Sequence, residues 1–259
     1  MDAGPLRDSL TFLAGLGTGV LSGAFGIGGA VISTPAIRAL GCSAALAVGT
    51  TLPSILPGAV TGFVRYRTQD LIDWGVVRLT VPAGFLASIG GSELAHVLPG
   101  NGHPLMIVTA ALLLFSALNL IRTKDSGETG VVEVVTHTAW KAGVSGAAAG
   151  LLSGLLGIGG GVLLVPAFRA WLAMPLRRAI ATSLVCVGFF AIPGTITHAL
   201  NHDIEWRYAI WLTVAVVPGA RLGANISMRT GDRRLRLVFG VFLGFVAVYY
   251  GVRELTQLG

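Results

Sequence analysis

Charge is what this sequence has least of. Of 259 residues only 12 are Asp or Glu and 18 are Lys or Arg, so 12% are charged, against roughly 25% in ordinary soluble domains. Twelve carboxylates cannot solvate a chain this long, which excludes a water-soluble globular fold. Cysteine is nearly absent too. Cys42 and Cys186 stand far apart in apolar surroundings, with no C-x-x-C or metal-ligand spacing. That excludes a disulfide framework and a zinc site and leaves packing as their role. Lysine is confined to Lys124 and Lys141, so the net charge of +6 is carried by arginines placed between apolar stretches. This is a topological pattern rather than a nucleic-acid footprint, and no nucleic-acid partner is expected.

What the chain has is apolar sequence: 53% of residues are hydrophobic and the mean hydropathy is +0.77. Long apolar runs recur from Leu10 to Leu255 with brief polar breaks, so the bilayer is the solvent and the fold is all-α and polytopic. Arg7 followed by the run Leu10–Leu21 has the look of a signal peptide. The same run recurs inside the chain at Ala147–Leu156, and a cleaved leader would not, so it is taken as the first membrane segment.

The recurrence is part of a duplication. At an offset of 131, Ser22-Gly23-Ala24-Phe25-Gly26-Ile27-Gly28-Gly29 aligns with Ser153-Gly154-Leu155-Leu156-Gly157-Ile158-Gly159-Gly160, and 11 of 18 positions from Ser22 to Ala39 are identical. Ser, Ile, Pro and Arg fall in register as well as Gly. The match continues through Thr50-Thr51 with Thr182-Ser183, Ile72-Asp73-Trp74 with Ile204-Glu205-Trp206, Gly84-x-x-x-Ser88 with Gly219-x-x-x-Gly223, and Arg122 with Arg253.

Each half is expected to hold two short apolar segments and three longer ones: 9–24, 27–41, 45–64, 74–96 and 103–122, then 139–155, 158–173, 178–199, 207–228 and 235–254. The first two of each half, roughly 15 residues, fall below the ~20 needed to span a bilayer and are expected to form a Gly-broken helix pair. The halves are 1–122 and 139–259, joined by a polar linker, 123–138. Placing the N-terminus outside gathers 12 of the 18 basic residues on one face, whereas four plain crossings per half would split them. The positive-inside bias therefore favours inverted repeats, a cytoplasmic linker and both termini outside.

The glycine motif falls where one short helix ends and the next begins. Such a break starts the second helix at Gly28–Val31 and Gly159–Val162 with its positive dipole end turned inward, where anions bind. In inverted halves the two ends converge near the midplane, the usual place for a transporter's substrate. The alternative is packing alone, since Gly15-x-x-x-Gly19-x-x-x-Gly23 and Gly146-x-x-x-Gly150-x-x-x-Gly154 are small-residue ridges. Dinucleotide and P-loop templates both fail, for Gly26-x-Gly28 is followed by Val31 and no Lys-Ser/Thr follows.

The doubled Ser-Gly-x-x-Gly-Ile-Gly-Gly-x-Val-x-x-x-Pro signature, with Ala47–Thr51 and Ala179–Ser183 after it, resembles the sulfite exporter TauE/SafE family of permeases over essentially the whole chain. The first copy departs from the second with Ala30 for Gly161 and Thr51 for Ser183. The resemblance implies a permease of a bacterial or archaeal inner membrane that moves sulfur-containing anions such as sulfite, thiosulfate or organosulfonates.

The substrate-binding residues expected are Ser22, Gly26, Gly28, Gly29, Thr50, Thr51 and their matches Ser153, Gly157, Gly159, Gly160, Thr182, Ser183, together with Arg221. The hydroxyls offer donors to an oxyanion, or else bond back to their own helices. Arg221 falls midway along its segment, where a charge needs either a bound anion or a snorkelling route to the interface. Arg38 and Arg169 follow the short helices and suit anchoring. Glu93, His96 and His198 are the titratable groups a coupling proton would use, though each also suits packing or the interface. Trp74 and Trp206 start matching segments as interfacial anchors. With no H-E-x-x-H, no G-x-S-x-G and no paired intramembrane acids, no enzyme activity and no cofactor are expected. The function expected is alternating-access transport of a small anion, with an anion channel as the rival. Proton or sodium coupling, and a monomer or a homodimer, both stay open.

Overall fold

The computed structural model describes residues 4–97, 110–111, 114–118, 121, 137–157 and 159–258. All regular structure among them is helical: α1 (Pro5–Phe25), α2 (Ala30–Ala39), α3 (Ala44–Arg67), α4 (Trp74–Val97), α5 (His137–Leu156), α6 (Gly161–Leu172), α7 (Leu176–Leu200), α8 (Trp206–Arg229) and α9 (Asp232–Leu258). The fold is an all-α polytopic membrane protein. Helices α3, α7 and α8 are each long and apolar enough to cross a bilayer; 24 residues rise about 36 Å against a hydrocarbon core of ~30 Å. Of the expected segment 103–122 only 110–111, 114–118 and 121 are described, all helical. The rest, Ile158, and the linker up to 136 lie outside the described residues.

One segment length differs from expectation. Of the two short segments in each half, only the second stays short, with α2 at 10 residues and α6 at 12. Helices α1 and α5 reach 21 and 20 residues. In α1 the extension comes from Pro5 in the first turn and Asp8 beside it, residues that start a helix well although they are not apolar.

Each short helix folds back on the one before it. Gly29, at the start of α2, lies so close to Thr18 of α1 that a Cβ there would come within 2.6 Å of Thr18 Cγ2. At the other end of α2, Ile37 packs in one cluster with Cys42, Ala47, Tyr208 and Leu212, level with Gly15 of α1, which also meets Leu212. So α1 and α2 form a helical hairpin, and α3 sets out from the side where α1 began.

The halves embrace. The first helix of each packs along the fourth of the other, α1 on α8 and α5 on α4, while α3 crosses α7. Backbones touch along the small-residue ridges: Gly15, Gly19 and Gly23 meet Ala215, Ala220 and Ala224 in ascending order, and Gly146, Gly150 and Gly154 meet Thr80, Gly84 and Ser88 likewise, so both pairs run parallel. Along α3 and α7 the order reverses, with Gly49 against His198, Ala59 against Gly188 and Gly62 against Leu184. Corresponding helices of the two halves therefore point in opposite directions.

The packing corrects one alignment. From Thr50 to Gly91 the offset stays at 132, so Gly91 corresponds to Gly223, each seated on the facing helix at Leu151 or Val20. The spacing that pairs Gly84 with Gly219 is three residues out of step, because several small residues recur on one helix face and slip into false register. The ends carry the charges. Arg65, Arg67, Arg177, Arg178, Arg229 and Arg233 gather at the end where α3 stops and α7 starts, and Arg177 there binds Thr230 O and Asp232 at 2.7 and 2.9 Å. At the other end Arg207 makes a bidentate pair with Asp8.

Candidate functional site

The two glycine breaks are built alike. Gly26 caps α1 with φ 69° and its N–H on Ser22 O, and Gly157 caps α5 with φ 64° and its N–H on Ser153 O at 2.9 Å. Gly28 and Gly159 follow at φ 80° and 83°, a left-handed conformation that a side chain disfavours. Helices α2 and α6 then start from Gly29 and Gly160, and neither has a side-chain cap.

The breaks meet. A Cβ on Gly28 would lie 3.4 Å from Gly159 Cα, and one on Gly159 would lie 3.3 Å from Gly28 Cα. Val187 packs on both, and Ile55, its counterpart at the offset of 132, packs on Gly28, so the relation between halves passes through this contact. Gly29 lies beside Thr18 and Gly160 beside Ala149, near the middle of α8 and α4 in the order of contacts above. The difference between Ala30 and Gly161 also finds its cause: a Cβ on Gly161 would meet Gly26 O and come within 2.7 Å of Ile27 Cα.

Four buried hydroxyls, on Thr18, Ser22, Ser33 and Ser153, have no hydrogen-bond partner among the described residues. Ser22 and Ser153 are matched, 1% and 0% exposed, and one turn before their breaks. Ser22 Cβ lies 3.3 Å from where Gly29 would carry a Cβ, beside the start of α2. Burying a hydroxyl unpaired costs about 1–3 kcal/mol, so its repetition in both halves requires an explanation.

The remaining expected hydroxyls are engaged. Thr50 accepts the N–H of Glu205 at 2.9 Å and Thr182 that of Asp73 at 3.0 Å, so each ties one half to the other. Thr51 donates to Val48 O and lies 3.1 Å from Thr34 Oγ1. Ser183 shares its proton between Ile180 O and Gly26 O, clasping the first break from α7. Arg221 is not among them. It is exposed on α8 beside Leu222, because Gly219 and Gly223, two residues to either side, face α1 and leave it on the outer face. Glu93 is exposed, and the side chain of His96 lies outside the described residues. Trp74 and Trp206 stand 47% and 56% exposed at matching starts.

Two contacts escaped the sequence, although His198 itself stood among the titratable candidates. Tyr66, fully buried, donates its hydroxyl to Gly23 O at 2.8 Å. His198, equally buried, faces Asp203 with Nδ1 3.5 Å from Oδ2. Tyr66 and His198 stand 132 apart, so continuing the alignment would have paired them. Cys42 and Cys186 are free and buried.

A helical membrane protein whose two halves bring uncapped helix starts together is built as transporters are. The comparisons make it particular: the sulfite exporter TauE/SafE family profile matches residues 11–250, and the chain belongs to that family. A probable membrane transporter protein of Xylella fastidiosa (strain 9a5c) is 26% identical over 95% of this chain and 94% of its own. The probable membrane transporter protein YunE of Bacillus subtilis is 24% identical over 92% and 96%, and MJ0441 of Methanocaldococcus jannaschii, also a probable membrane transporter protein, is 23% identical over 93% and 94%. No solved structure matches.

Proposed function

We propose that this protein is a secondary permease of the inner membrane that carries a small sulfur-containing anion between its two glycine breaks by alternating access. The observation that carries this reading is the contact of Gly28 with Gly159 beside two matched, unpartnered serines. An oxyanion seated there meets the positive ends of α2 and α6, and the hydroxyls of Ser22 and Ser153 donate to it. Neutral donors bind a monovalent or divalent anion reversibly, without a buried cation to retain it. Because the breaks are in van der Waals contact, the halves must part to admit an anion. Rocking one half against the other along the α1–α8 and α4–α5 seams opens the site to either side in turn. The Thr50–Glu205 and Thr182–Asp73 bonds act as latches at the two ends.

The test is a ligand-stabilisation scan of purified protein against sulfite, thiosulfate, sulfoacetate, sulfate and chloride at fixed ionic strength. A ligand at 100 times its Kd stabilises the native state by about 2.7 kcal/mol, so a selective, saturable rise with one sulfur anion is expected, and no shift with any of them overturns the substrate class. Saturable counterflow in proteoliposomes is expected of a carrier, whereas large unitary currents would make it a channel.

A further inference from the structure

The two glycine breaks match in backbone but not in the side chains around them. Three of the buried hydroxyls without a partner among the described residues belong to the first hairpin: Thr18 and Ser22 on α1 and Ser33 on α2, each at most 1% exposed. At the offset of 131 their counterparts are Ala149, Ser153 and Leu164. The second hairpin thus keeps one hydroxyl and is apolar at the other two positions. All three counterparts are fully buried as well, so exposure does not explain the difference.

The hydroxyls of the first hairpin gather at the start of α2. A Cβ on Gly29 would come within 2.6 Å of Thr18 Cγ2 and 3.3 Å of Ser22 Cβ, so both side chains flank that start. Ser33 and Ile37, four residues apart, share one face of α2. Ile37 packs with Leu212, which also meets Gly15 of α1, so Ser33 is turned toward α1, one turn from Gly29. Ser22 Oγ in its turn faces α3 at Gly58, where a Cβ would lie 3.8 Å from it. The counterpart of Gly58 at the offset of 132 is Phe190, a fully buried ring that lies against Gly84. The first break is therefore flanked by donors and by a position with no side chain, whereas the matching position of the second carries a ring.

Resting on the permease reading above, we propose that Thr18 and Ser33 join Ser22 in binding the substrate's oxygens at the first break, and that the substrate is an anion with two unlike poles, its oxygen-bearing head on the first hairpin and its other pole toward the second. Three hydroxyls match in number the three oxygens of an R–SO3 head, and each can donate one hydrogen bond. The N–H groups that start α2 add their partial positive charge. Ser153 reaches the same head from across the contact of Gly28 with Gly159. The group R is left beside Ala149 and Leu164, which offer no donor, so sulfur or carbon suits that pole. A fourth oxygen there, as in sulfate, would be buried without a hydrogen bond and is penalised. Thr18 and Ser33 are in this way specificity-determining residues, because they fix which way round the anion sits.

The experiment measures the Kd of thiosulfate and of sulfate by titration calorimetry on the detergent-purified full chain at fixed ionic strength, beside the melting temperature without ligand. Both anions carry two charges at neutral pH and differ by one sulfur for one oxygen, so charge does not separate them. The wild type is expected to bind thiosulfate at least about tenfold tighter than sulfate. Thr18→Val and Ser33→Ala are each expected to weaken thiosulfate binding about tenfold without lowering the melting temperature, since each removes an unpaired buried group. Thr18→Ser, which keeps the hydroxyl, is expected to bind as the wild type does. Wild-type affinity in both Thr18→Val and Ser33→Ala, or lost binding with a lowered melting temperature in both, makes them packing residues and overturns the proposal. Equal wild-type affinity for the two anions overturns it too, and in each of these cases the permease reading stands because an anion still binds. If no sulfur anion binds the wild type, the reading on which the proposal rests fails first.

Discussion

Ser22 and Ser153 have the unusual property that removing their polar groups should help the fold. Each hydroxyl is buried and unpaired within the described residues, at a cost of about 1–3 kcal/mol. Ser22→Ala and Ser153→Ala are therefore expected to raise the melting temperature slightly while weakening anion binding about tenfold, the trade seen where a site is kept at the expense of stability. A fall in melting temperature with unchanged affinity would make them packing residues. Thr50 behaves oppositely. Thr50→Val strands the partly buried N–H of Glu205 and is expected to cost about 1 kcal/mol, read as a lowered melting temperature. Cys42 gives a check outside the spanning helices: burial, reinforced by the Glu205 carboxylate, pushes its thiol up from the ordinary value. Since the thiolate is the reactive form, maleimide labelling at neutral pH should be slow and should accelerate as pH rises. Glu205→Gln, by removing the negative charge, should speed it.

At the scale of elements the hairpins α1–α2 and α5–α6 carry the proposed site, and their tips leave no room for a side chain. Gly28→Leu would place bulk against Gly159, Val187 and Ile55 and force a disfavoured φ. Both Gly28→Leu and Gly159→Leu are expected to abolish transport while the protein still inserts in the membrane, checked by transport assay beside membrane fractionation. Normal transport in both would remove the break from the mechanism. The ridges on α1 and α5 do the different work of letting helices approach backbone to backbone, the role that packing alone assigns to glycine in membranes. One run of glycines thus serves two purposes, separated where the helix ends.

For the whole molecule, helix direction and arginine placement make a joint prediction. The C-terminal ends of α3 and α7 lie on opposite faces, the former among arginines. With the arginine-rich face cytoplasmic, a membrane-impermeant maleimide applied to intact cells should label Asn201→Cys, at the end of α7, and spare Gln69→Cys, just past α3. Both residues are exposed, and the native cysteines are buried. The reverse pattern would invert the orientation.

The membrane class, the duplication and the position of the breaks were legible in the residues, because hydropathy, spacing and glycine placement are local properties of the chain. The Ser22–Gly29 motif and its twin mark the helix ends within a residue or two. The family resemblance, carried by that doubled motif, agrees with the profile match over residues 11–250. The lengths of α1 and α5 were misjudged because hydropathy does not register a polar residue that starts a helix well, and Gly84 was misaligned because small residues repeat. What only the tertiary structure decided is which groups touch. Arg221 faces outward, Thr50 and Thr182 hold the halves together, Gly28 lies on Gly159, and His198 meets Asp203 where its counterpart is a tyrosine. Apart from His198 with Asp203, which share one turn, those contacts join residues more than 100 positions apart, and their partners are set by how two oppositely directed halves pack, which no local pattern encodes.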